Sequence, residues 1–75
     1  MKTIYVKING IADVTKLATA ASVVDGDVTV RKGIYVVDGK SIMGLFSLDL
    51  STGATIEYPE DAIDFENYIV NFKAD

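Results

Sequence analysis

The chain predicts an α+β fold of two layers, one sheet with helices packed on a single side. Three observations carry this. The apolar spacing alternates between a period of two and a helical period, in the order β-α-β-β-α-β-α. Amphipathic strands and helices with an apolar face each imply two layers, although the Lys40–Leu50 segment carries more apolar side chains than one buried face needs. The length of 75 residues, with 49% hydrophobic and 24% charged, suits one folded domain over residues 1–75.

The first strand is expected over Thr3–Ile8, where Ile4, Val6 and Ile8 alternate with Tyr5 and Lys7. Asn9-Gly10 breaks it. From Ile11 to Val24, Ile11, Val14, Leu17, Ala18 and Ala21 fall on one helical face, with Thr15, Lys16, Thr19 and Ser22 outside. Asp25-Gly26-Asp27 ends that helix. Val28–Arg31 alternates as a second strand, Lys32-Gly33 reads as a tight turn, and Ile34–Val37 as a third strand closed by Asp38-Gly39. A short helix follows within Lys40–Leu50, opened by Ser41 as N-cap and stopped by Ser51-Thr52-Gly53. Thr55–Tyr58 is a fourth strand ended by Pro59. Asp61 is the expected cap of a last helix whose Phe65, Tyr68, Ile69 and Phe72 share a face, with Lys73 in its final turn.

Composition narrows the chemistry. The chain has no cysteine, which removes thiolate catalysis, disulfides and zinc–thiolate sites. It has no histidine, which removes the commonest general base, any phosphohistidine and imidazole metal ligands. A net charge of −4 speaks against nucleic-acid partners. The start, Met1–Lys7, lacks the apolar core of a signal peptide, and no apolar run reaches membrane-spanning length. The expectation is a cytoplasmic domain without cofactor or metal, and without membrane contact.

The segment Lys40-Ser41-Ile42-Met43-Gly44, followed by Ser47-Leu48 and Gly53, resembles the regulatory-serine segment of HPr, the small bacterial phosphocarrier of the phosphoenolpyruvate-dependent sugar phosphotransferase system. Asp27-Val28 and Gly33 fall at the family's spacing, and the element order is also the family's. The resemblance implies an open-faced β-sandwich, a four-stranded antiparallel sheet with helices on one face. The family's phosphocarrier motif reads Gly, Leu or Ile, His, Ala, Arg, Pro, Ala. Aligned on Gly10-Ile11, Ala12 stands at the histidine, Val14 at the arginine and Thr15 at the proline. Aligned back from Ala21-Ser22, Gly10 stands at the histidine and Ala12 at the arginine. In either register the nucleophile and the guanidinium are missing, as the histidine is in the family's regulatory relative Crh.

The resemblance therefore implies a regulatory or protein-binding role through Ser41, phosphorylated by an HPr-kinase-like enzyme. Lys40 adjoins that serine. Ile42, Met43 and Phe46 match positions that meet partner proteins in the family, with Lys16 on the first helix as a further contact; the bland alternative turns Phe46 inward as core. The partners implied are the kinase, a regulator or another phosphotransferase-system component, and the chain is expected to be a monomer or weak homodimer. A degenerate homologue with a structural or self-associating role is the other reading. No nucleophile–base pair supports an enzyme. The acids Asp25, Asp27, Glu60, Asp61 and Asp64 read as turn and capping residues, and Asn9, Gly10 and Asp13 as a plain turn.

Overall fold

The structure is a computed structural model that describes residues 1–74. Its strands are β1 (Lys2–Val6), β2 (Thr29–Lys32), β3 (Tyr35–Asp38) and β4 (Ala54–Tyr58), and its α-helices are α1 (Ile11–Ser22), α2 (Ile42–Phe46) and α3 (Ile63–Ile69). The strands form one antiparallel sheet in the order β1-β4-β2-β3. Ile4 and Val30 both stand opposite Ile56, so the alternate residues Val6, Val30, Ala54, Ile56 and Tyr58 line one face. The helices cover that face with Val14, Leu17, Ala18 and Ala21 from α1, Leu45 from α2, and Phe65 and Ile69 from α3. This is the open-faced, two-layer sandwich that the one-sided segments require.

Boundaries differ from the sequence expectation where a local hydrogen bond outweighs the apolar pattern. Ile8 remains buried on the core side, but its amide bonds the Leu50 carbonyl at 2.9 Å, so β1 ends at Val6. α1 stops at Ser22, with Val23 84% exposed. Lys32 belongs to β2, and the turn is Gly33-Ile34. Gly33 has a φ of 60°, the conformation that the first residue of such a turn demands, and β3 shifts one residue later. The Lys40–Leu50 segment is helical only over Ile42–Phe46; a separate 3₁₀ turn covers Leu50–Thr52, with Asp49 accepting from the Ser51 amide at 3.1 Å.

Asp61 does not cap α3. Ala62 occupies that position without a side-chain bond, and the Asp61 main-chain carbonyl accepts from Ile63. The end of α3 tightens into a 3₁₀ turn, Val70–Phe72, and Lys73 leaves it to pair with Val6. The chain thereby covers the outer edge of β1: Lys7 N–H donates to Phe72 and Ala74 N–H to Tyr5.

Candidate functional site

Ser41 sits where the sequence places it. Its backbone is extended (φ −95°, ψ 111°) and its hydroxyl oxygen accepts from the Gly44 amide at 3.2 Å, the arrangement of an N-cap. The turn leading into it is fixed by Asp38, whose carboxylate accepts from the Lys40 amide at 2.9 Å and whose carbonyl accepts from the Ser41 amide at 3.0 Å. Gly44 lets this short helix settle on the sheet, because a Cβ there would lie 3.3 Å from the Val37 Cβ. Ser41 itself is exposed. Lys40 is not turned toward it: the ammonium donates to the Val24 carbonyl at 2.9 Å, tying α2 to the end of α1.

Of the α2 side chains, only Leu45 is buried. Ile42 is 41%, Met43 82% and Phe46 46% exposed, so Phe46 is not turned fully into the core. A helix of five residues can aim only one or two side chains at the sheet, and the rest must face solvent. Ile11, expected on the buried face of α1, is 75% exposed. It is the first residue of the helix, beyond the cover that α2 and α3 provide. Ile11 and Phe46 line a groove of about 240 Å³ between the start of α1 and the end of α2, with Gly10, Val14, Leu48 and Asp49. Lys16 is exposed on α1 but does not line the groove. Ser41, Ile42, Met43 and Phe46 thus share one short helix, and Ile11 is the apolar neighbour that the periodicity hid.

The rim of the groove is polar and ordered. The Ser51 hydroxyl and amide both donate to the Asp49 carboxylate, which holds its pKa below the usual carboxylate value. The Lys32 ammonium donates to the Asp49 carbonyl at 2.6 Å and to the Thr52 hydroxyl. Gly10 supplies no side-chain cap to α1, and Asp13 occupies its first turn. A second cavity, of about 230 Å³, lies between the end of α1 and the start of α3, beside Asp25, Asp61 and Asp64. Among the described residues, no group of three or more carboxylates, histidines or cysteines could hold a metal ion. The exposed Ser41 hydroxyl and the exposed apolar side chains of Ile42, Met43 and Phe46 lie together at the α2 end of the molecule.

Comparison with known proteins agrees with this geometry. Residues 13–64 match the family model PTS-HPr, described as the PTS HPr component phosphorylation site. The match includes the whole Ser41 segment and begins at Asp13, leaving Asn9–Ala12 outside. The comparison with curated protein sequences returned no significant match. Among solved structures, HPr-C-His from Thermoanaerobacter tengcongensis superposes with a TM-score of 0.76 at 24% identity, covering 95% of this chain and 93% of that one. The phosphocarrier protein HPr from Bacillus anthracis superposes with a TM-score of 0.69 at 25% identity, covering 97% of this chain and 94% of that one. A family model spanning more than half of the chain, on the same open-faced sandwich, means that this chain belongs to the HPr family of the phosphotransferase system.

Proposed function

We propose that this HPr-family chain is a regulatory, protein-binding module rather than a phosphohistidine carrier or an enzyme. The observation that supports it most directly is the coexistence of two features. The chain contains no imidazole to accept a phosphoryl group, and it keeps an exposed serine beside the apolar side chains Ile42, Met43 and Phe46. Phosphoryl transfer through histidine needs a ring nitrogen as nucleophile. Docking through a Met-bearing patch needs only accessible, adaptable apolar surface.

In this reading an HPr-kinase-like enzyme transfers the terminal phosphoryl group of ATP to Ser41 Oγ. The bond to ADP breaks and the hydroxyl proton leaves to a base of the kinase. The product places about two negative charges beside Ile42 and Met43. The Gly44 amide, already aimed at Oγ, supports the phosphate, while the desolvation cost of those charges changes which proteins the patch accepts. Lys16, exposed on α1, is a further contact in this reading, and Lys40 holds α2 against α1. The partners are proteins of the phosphotransferase system or its regulators, and the setting is cytoplasmic; among the described residues no helix is long and apolar enough to cross a membrane.

The test is incubation of wild type and Ser41→Ala with ATP and such a kinase, followed by peptide mapping by mass spectrometry. Phosphate on Ser41 in the wild type and none in the variant is expected; an unmodified Ser41 overturns the regulatory reading. A structural or self-associating homologue is the second reading, and the open edge of β3 is the observation that favours it.

A further inference from the structure

Of the asparagines in the chain, Asn9, Asn67 and Asn71, only Asn9 is followed by glycine. The other two are restrained. Asn67 lies inside α3, where the next amide belongs to the helical hydrogen-bond ladder. Asn71 donates its carboxamide to the Asn67 and Tyr68 carbonyls, at 3.4 and 2.9 Å. Asn9-Gly10 falls between the end of β1 at Val6 and the start of α1 at Ile11, outside both ladders. Both residues are exposed, and among the described residues neither the Asn9 carboxamide nor the Gly10 N–H has a hydrogen-bond partner. Gly10 has a φ of 88°, and a Cβ built on it would meet nothing within 4 Å. Asp38-Gly39 has a similar pattern but is closed: the Gly39 N–H donates to the Val28 carbonyl at 2.7 Å, and the Asp38 carboxylate accepts from the Lys40 amide.

We propose that Asn9 is a modification site, where the carboxamide becomes a carboxylate through a cyclic imide formed with Gly10. Asparagine is among the chemically labile residues, and its reaction needs a free following amide. The Gly10 N–H gives its proton to hydroxide, and the nitrogen attacks Asn9 Cγ. The bond from that nitrogen to Cγ forms, the bond from Cγ to Nδ2 breaks, and Nδ2 leaves as ammonia with a proton from water. Water then opens the ring. Cleavage at Cγ leaves aspartate, and cleavage at the main-chain carbonyl leaves isoaspartate, whose chain runs through Cγ. One water is consumed and one ammonia released, with no oxidant or cofactor. Closing the ring also needs rotation of the main chain at this pair, which glycine permits and a Cβ would hinder. The product adds a negative charge to a chain of net charge −4. That charge appears at the lip of the groove where Gly10, Ile11 and Phe46 meet, beside a first turn of α1 that no side chain caps. Aged chains therefore present this groove with a different charge from new ones. The site is separate from Ser41, and the phosphorylation outcome does not bear on it.

The full folded chain is incubated in mildly alkaline buffer and its peptides are mapped by mass spectrometry. Methyl transfer by an isoaspartyl methyltransferase marks the isoaspartate product. The Asn9 peptide is expected to show the mass change of replacing an amide by an acid, while those carrying Asn67 and Asn71 stay unchanged. The same chain unfolded in guanidinium chloride gives the unrestrained rate, and the folded chain is expected to match it at Asn9 within about tenfold. Asn9→Gln, whose longer side chain must close a larger ring, is expected to slow the conversion at least about tenfold. Should that variant fold poorly, the folded and unfolded wild type decide between them. An unmodified Asn9, a folded rate more than about tenfold below the unfolded one, conversion of Asn67 or Asn71 as fast as Asn9, or Asn9→Gln converting at the wild-type rate overturns the proposal.

Discussion

Ser41 combines two demands on one hydroxyl, capping α2 and presenting an oxygen to solvent. Ser41→Ala should cost about 1 kcal/mol through loss of the cap, read as a lower urea midpoint. Ser41→Asp should keep stability within a few tenths of that of the wild type, since aspartate caps equally well, while adding charge beside Met43. The pair separates capping from charge in any binding assay. Gly53 is a different kind of position. Its φ is 110°, and a side chain there would run into the Tyr5 ring, whose hydroxyl reaches toward the Thr52 carbonyl. Gly53→Ala should destabilise by about 2 kcal/mol or more, measured by chemical denaturation. Ser41 was legible in the sequence because capping chemistry is local. The contact of Gly53 with Tyr5 was not, since it joins residues far apart in the chain.

Glu66 of α3 ties that helix to two strands. Its carboxylate accepts from the Tyr58 hydroxyl of β4 at 2.6 Å and from the Lys2 ammonium of β1 at 2.9 Å. The Tyr58 bond, then Lys2, holds Glu66 below its usual value of 4.5. The contribution of this carboxylate is present above the unfolded value and is lost as pH falls through the lowered one. Glu66→Gln should accordingly flatten the acid side of the stability profile. Tyr58 behaves in the opposite sense: burial, then the Glu66 carboxylate, push its phenol up to about 12. Its contribution is complete below pH 10 and lost as pH rises toward 12. A spectroscopic titration of Glu66→Gln should find the Tyr58 phenol ionising at lower pH than in the wild type. The sequence displayed the helical face of Phe65, Tyr68, Ile69 and Phe72, but not this clamp, because cross-element pairs leave no periodic trace. The same limit explains Asp61: its chemistry suits a cap, yet the chain enters α3 one residue later, at Ala62.

The core is small, and each member matters. Leu17, Leu45 and Ile56 are fully enclosed where α1, α2 and the sheet meet. Total stability for this length is roughly 4–11 kcal/mol. Leu17→Ala should remove about 2–5 kcal/mol of it and shift the thermal midpoint strongly. The two-layer architecture was readable because β1, α1 and α3 each show one apolar face to cover. The strand order was not, because connections through helices do not specify neighbours, and the register beside the helices emerges only from packing. The exposed apolar patch was half readable: a short helix with Ile42, Met43, Leu45 and Phe46 must expose some of them, whereas Ile11 looked internal until the start of its helix was placed. That strand order has a consequence for synthesis. β1 has β4 as its sheet neighbour, with Lys2 opposite Tyr58, so β1 waits for the last of the described strands. Until Ala54–Tyr58 has emerged, the β2–β3 hairpin is the one strand pair of the sheet that can form, and Val6 and Ile8 have no layer to enter. Closing the β1–β4 span costs more chain entropy than either other strand pairing of the sheet, because it joins the residues farthest apart in sequence.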